Sequence, residues 1–143
     1  MTRLLRQAAK LPGAPALQWR DRRRLAKQRA RAIEYSRGKD NRRMLYRALI
    51  AATRATQTAL QAAGERLADL AGIAAARWRV QLGHYLPLIE RILSQRQRRV
   101  LDGQAVPADE KLVSLFELHA DIIVKGACDV QYGHKLNLPA AAA

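Results

Sequence analysis

The chain has 143 residues, the size of one ordinary domain, and its 49% apolar content is enough for a core. Aromatics are only 5%, a shortage filled by Ala and Leu, the residues that cost least to place in a helix. Lys and Arg number 26 against 12 Asp and Glu, a formal net charge of +14 that repels itself in a compact monomer and calls for a polyanionic partner.

The charge is concentrated at the start of the chain. Residues 1–47 hold 15 of the 26 basic side chains against Asp21, Glu34 and Asp40, while residues 48–110 are nearly balanced and 111–143 are balanced. Most of the basic residues are Arg, whose planar fork matches phosphate oxygens better than an ammonium does.

Taken in chain order, Leu4, Leu5, Ala8 and Leu11 follow helical spacing until Pro12, Gly13 and Pro15 stop the segment. No capping residue precedes it, so it reads as a severed helix end. Over residues 16–35 the apolar positions Leu17, Leu25, Ala26, Ala30 and Ile33 recur at three to four. Between them stand Arg20, Arg22, Arg23, Arg24, Lys27, Arg29 and Arg31. This pattern predicts a helix with a narrow apolar stripe and a wide basic surface. A turn follows at residues 36–39, with Gly38 near the end of that helix and Asp40 as the N-cap of the next.

Residues 41–70 predict a long helix with a small, Ala-rich face that lets another helix approach closely, Gly64 being a weak point within it. Residues 73–101 predict another, with Trp78, Leu82, Tyr85, Leu86, Ile89, Leu93 and Val100 on one side and a bend or break from Pro87 near Tyr85. Joined at Ala71 and Gly72, the two form an αα-hairpin. Beyond Pro107 the period changes. Residues 111–116, 121–125 and 134–138 predict short strands of a β-meander, with turn material from Gly126 through Gly133. So small a strand set, ending in Pro139 and four alanines, does not close a sheet, and something is expected beyond the last strand. The division falls into a basic helical region, 1–105, and a short-strand region, 106–143.

The basic helix outweighs every catalytic or metal-binding candidate. Cys128 has no spacing to His84, His119 or His134 that makes a nucleophile pair, and reads as a small strand-loop residue. His119, Cys128 and His134 supply three zinc ligands without the close pairing of structural zinc sites. Glu117, Asp121 and Asp129 read as solvated strand and turn acids, because strand alternation sends neighbours to opposite faces. Trp19 and Tyr35 flank the basic run, placed either to stack on bases or to anchor the helix, the second being the simpler reading. The charges of the run do not alternate in sign, which favours contact with phosphates over a merely solvated face. Arg20, Arg22, Arg23, Arg24, Lys27, Arg29, Arg31, Arg42, Arg43 and Arg47 are therefore the expected DNA-binding residues. Phosphate contacts of this kind position a protein without specifying sequence.

The stretch VPADEKLVSLFELHADIIVKG at 106–126, followed by DVQYGHKLNL at 129–138, resembles the internal region of DDE-type insertion-sequence transposases of the ISNCY group. LPGA at 11–14, RRRLAK at 22–27 and YSRGK at 35–39 resemble the helical region those enzymes carry before it. The resemblance implies a ribonuclease H-like fold with a helical insertion, in which three acids hold two magnesium ions for cutting and joining DNA. It also implies that the first acid lies upstream of Met1 and the other two beyond Leu138. No catalytic, cofactor or metal residue is therefore carried over to this sequence. Leu118 stands where the family has a proline, Ala127 and Cys128 replace a more polar turn, and Pro139 replaces a Thr/Gly-rich one. The resulting expectation is a truncated transposase that keeps a grip on the DNA backbone and is inactive alone. A stand-alone helical nucleic-acid-binding protein is the alternative, as is a remnant that docks on an intact transposase and inhibits it. No apolar run reaches the roughly 20 residues of a membrane span, and no secretion signal opens the chain, so a cytoplasmic location is expected.

Overall fold

The computed structural model describes residues 1–107, 110–112, 114–115, 121–123 and 131–133. They are mainly helical and divide into two compact units, Met1–Ala105 and Val106–Ala143. The first unit contains α1 (Thr2–Ala8), α2 (Arg23–Glu34), α3 (Lys39–Arg66) and α4 (Ile73–Arg96), the last running on into a π-helical turn, Gln97–Leu101.

α3 and α4 are the frame. Their contacts run in opposite order along the two chains: Arg79 meets the carbonyls of Leu67 and Leu70, Gln57 meets Glu90, and Arg54 meets Gln97. The pair is therefore an antiparallel hairpin, as the long 3.6-residue periodicity demands. α3 ends at Arg66 rather than near Leu70, because residues 67–70 tighten into i→i+3 bonds. The Arg79 guanidinium then donates to the Leu67 carbonyl, which also accepts from the Leu70 N–H, and to the Leu70 carbonyl, where the negative end of the helix dipole favours a cation. Pro87 stands inside α4 without dividing it. Both Pro87 and Gly83, whose carbonyl loses its i+4 donor to the proline ring, lie on the exposed side of the helix.

Leu4, Leu5 and Ala8 of α1 lie in one buried cluster with Leu60, Ala63 and Leu67 of the α3 end and Trp78 and Leu82 of α4. The Trp78 indole donates to the Leu4 carbonyl at 2.9 Å, so α1 is tied to α4 by packing and by a buried hydrogen bond. Leu5, Leu60 and Leu67 are fully buried, each a contribution of about 1.5–3 kcal/mol. Farther along the hairpin Ile50, Ile89 and Leu93 form a smaller cluster. α1 is thus a core element, which its sequence reading as a severed end did not anticipate.

Residues 16–22 are not helical. Leu17 and Trp19 both pack on the main cluster while Gln18 and Arg20 are exposed, the alternation of an extended chain. In a helix, residues two apart face nearly opposite ways, so burial of both decides against the predicted helix there. α2 begins only after Asp21, whose Oδ1 accepts from the Arg23 backbone N–H at 2.9 Å. A second correction concerns Asp40: it lies inside the first turn of α3, and Gly38 occupies the N-cap with φ 86° and ψ 143°. Gly72 does the same for α4 with φ 108° and ψ 153°. Backbone of this kind is essentially restricted to glycine, which fixes where both long helices start.

In the second unit, Val106 and Leu112 are buried. Lys111, Leu112, Ser114 and Leu115 carry no strand, contrary to the expectation for 111–116. Two three-residue strands, β1 (Asp121–Ile123) and β2 (Gln131–Gly133), pair antiparallel with Asp121 opposite Gly133 and Ile123 opposite Gln131. β2 falls where turn material was expected, because pairing with Asp121–Ile123 supplies partners that local turn propensity does not register. The expected strand at 134–138 lies outside the described residues.

Candidate nucleic-acid interface

α2 contributes no buried side chain; it lies against α3, and its half-buried side chains are Ala26, Ala32 and Ile33. At 100° per residue, Arg23, Arg24, Lys27 and Arg31 fall within one sector of its surface, all exposed. Arg29, also exposed, lies well outside that sector. Leu25 is 41% exposed and Tyr35 80%, so the basic helix keeps apolar surface in solvent at both ends. Glu34 lies at the far end of the cationic sector and is exposed.

Arg20 and Arg22 stand on the extended lead-in, Arg20 exposed and Arg22 half-buried. The intervening Asp21 is engaged: its carboxylate accepts from Arg6 at 2.6 Å as well as from the Arg23 backbone. The Arg23 N–H, followed by the Arg6 side chain, holds the Asp21 carboxyl below the usual aspartate range. Among the described residues this is the ion pair of the N-terminal third, and with three acids against 15 basic side chains most of that region's positive charge is uncompensated.

The α3 members divide by role. Arg42 turns back to Ser36, donating to its carbonyl at 3.1 Å, while the Ser36 hydroxyl donates to Ile33 at 2.8 Å. These bonds lock the α2–α3 turn, so Arg42 positions α2. Arg43 donates to the Leu101 carbonyl at the end of the π-helical turn. Arg47, one turn along from Arg43, is exposed.

That contact exposes a group that a charge tally along the chain conceals. Residues 48–110 are nearly neutral as a stretch, yet the hairpin returns Arg96, Arg98 and Arg99 to the end of α3 that carries Arg43, Arg47 and Arg54. The signal lay in the hairpin itself: once the turn at Ala71 and Gly72 is fixed, residues near 100 must stand beside residues near 43. Trp19 and Tyr35 also part company, the first packed on the core cluster and the second projecting into solvent.

His84 is exposed on α4, its ring edge-on to Tyr85 at a centroid distance of 4.9 Å. Cys128, His119, His134, Glu117 and Asp129 lie outside the described residues. Among the described residues no group of three His, Cys, Asp or Glu comes together to hold a metal ion. Among the same residues no helix is long and apolar enough to cross a membrane. Comparison of the chain with protein-family models, curated proteins and solved structures finds no match.

Proposed function

We propose that this protein binds the sugar-phosphate backbone of DNA through the cationic face of α2, supplemented by Arg20, Arg22, Arg29 and the arginines at the open end of the α3–α4 hairpin. The observation that carries the reading is the single exposed sector of Arg23, Arg24, Lys27 and Arg31, on a helix that gives nothing to the core. A helix so placed is poorly explained by folding stability and well explained by contact with a polyanion.

The test is a salt titration of binding to a labelled duplex, followed by anisotropy. If four phosphates are neutralised, log K falls against log salt with a slope of about −3.6, and affinity drops roughly 100-fold between 50 and 200 mM salt. Replacing the four cations by Gln should flatten that slope and weaken every duplex alike, whatever its sequence. A salt-independent affinity, or one untouched by the four substitutions, would sink the proposal.

The resemblance of residues 106–138 to insertion-sequence transposases supports the more specific reading that this grip belongs to a member of that group, with residues 106–138 corresponding to part of its ribonuclease H-like region. Under that reading none of the 143 positions corresponds to a catalytic acid, and the magnesium ions of the family have no assigned ligand in this chain. A second reading, a stand-alone helical nucleic-acid-binding protein, is favoured by a different observation: Met1–Ala105 contains its own buried clusters. A chain cut after Ala105 that melts cooperatively and binds duplex with undiminished affinity would select the second reading over the first.

A further inference from the structure

The face of α2 explains a grip on phosphates but offers no recess for a base. Such a recess exists beside it. A cavity of about 560 Å³ lies between α1 and the extended lead-in to α2, within the size range of small-ligand sites. Its wall includes Arg3, Arg6, Gln7, Lys10, Trp19 and Arg23. Three properties of that wall point the same way.

The first is charge. Arg3, Lys10 and Arg23 are exposed cations at its edge, whereas Arg6 is held by Asp21, the acid that also accepts from the Arg23 backbone. The second is an aromatic face. Trp19 is half-buried, supported by the core cluster, and reaches the cavity as well. A ring braced in this way is a platform for stacking, because little of its freedom remains to be lost. The third is an unmet acceptor. The Gln7 Oε1 has no hydrogen-bond partner and no contact with solvent, and a rotation of this cavity-lining side chain would let it accept from a ligand N–H. An aromatic heterocycle with N–H donors, carried between phosphates, meets all three.

We infer that this cavity seats one unpaired nucleotide of a single-stranded nucleic acid, with the base on the Trp19 indole and the flanking phosphates on Arg3, Lys10 and Arg23. The inference rests on the nucleic-acid reading of the basic surface and narrows it. A base within a duplex remains stacked on its neighbours and does not enter, so the cavity confers a preference for single strands that the α2 face alone does not.

The experiment compares the full chain with its variants on a labelled oligothymidylate and on a labelled duplex of the same length, at one low salt concentration. Trp19→Ala should weaken the oligothymidylate roughly tenfold and the duplex less than twofold. Because Trp19 also touches the core, the double variant Arg3→Gln with Lys10→Gln provides a second arm at exposed positions, and it should likewise weaken the oligothymidylate more than the duplex. Addition of oligothymidylate should quench the intrinsic fluorescence of the wild type, and the quenching should vanish in Trp19→Ala, since Trp78 is buried and bonded to Leu4. Equal losses on both probes, or no loss on the oligothymidylate in either arm, overturn the inference and leave the α2 reading standing. Failure to bind either probe at low salt overturns both.

Discussion

A methyl group added at Gly64 would come within 2.7 Å of the Leu82 Cδ2, whereas one added at Gly83 meets nothing within 4 Å. Both residues lie in helices, where Ala is preferred over Gly by about 1 kcal/mol. At Gly83 that preference acts alone, so Gly83→Ala should stabilise the fold by about 0.5–1 kcal/mol. At Gly64 it is opposed by overpacking against a buried Leu82, which typically costs about 1–3 kcal/mol. Gly64→Ala should therefore destabilise by about 1 kcal/mol, and urea unfolding of the two variants checks the opposite signs. From sequence alone Gly64 reads as a weak point in a helix. Its role in close approach depends on which residue of α4 lies opposite, and that is set by the hairpin rather than by its neighbours in the chain.

Asp21 supplies a pH dependence at the same scale. Its folded-state pKa is depressed, first by the Arg23 N–H and then by Arg6. The stabilisation it gives is accordingly present above its unfolded pKa and lost as pH falls through the lower, folded value. In an NMR titration the Asp21 carboxyl should titrate below the usual aspartate range, and in Arg6→Gln it should move back toward that range. An unchanged Asp21 titration in Arg6→Gln would assign the depression to the Arg23 N–H alone.

Among the helices, α2 should be the least protected element of the first unit after the termini. It buries no side chain, whereas α3 buries Ile50, Ala52, Thr56, Gln57, Leu60 and Ala63, and α4 buries Ala75, Trp78, Leu82, Ile89 and Leu93. Local opening costs little where few apolar contacts are broken. Amide hydrogen exchange should show α2 exchanging through local opening while the centres of α3 and α4 exchange only with global unfolding. Bound duplex should slow exchange in α2 more than in α4. The long helices were legible in the sequence because their apolar positions repeat over many turns. The lead-in to α2 was not: Leu17 fits helical spacing with later residues, and only the shared burial of Leu17 and Trp19 reveals an extended path. The basic face was legible as composition. Its division into a sector on α2, a positioning Arg42 and a hairpin-end group required knowing which helices meet.

For the whole molecule, the net charge of +14 makes two salt dependences of opposite sign. Like charges in the compact state repel one another, and expansion on unfolding relieves that repulsion. At 10 mM salt the Debye length is about 30 Å, long enough for cations across the first unit to feel one another; at 0.15 M it is about 8 Å. Screening should therefore stabilise the fold. The opposing loss is small, because the Arg6–Asp21 pair is exposed and solvent screens such pairs. Thermal melting followed by circular dichroism should move up by a few degrees between 10 mM and 0.15 M sodium chloride, with the shift reduced when Arg23, Arg24, Lys27 and Arg31 are replaced by Gln. Over the same range affinity for duplex should fall, since the counterions that binding releases are then already abundant in solution. A melting temperature that falls with salt would mean that local ion pairs outweigh the collective repulsion, and the surplus of arginine would then need an explanation within the fold rather than outside it.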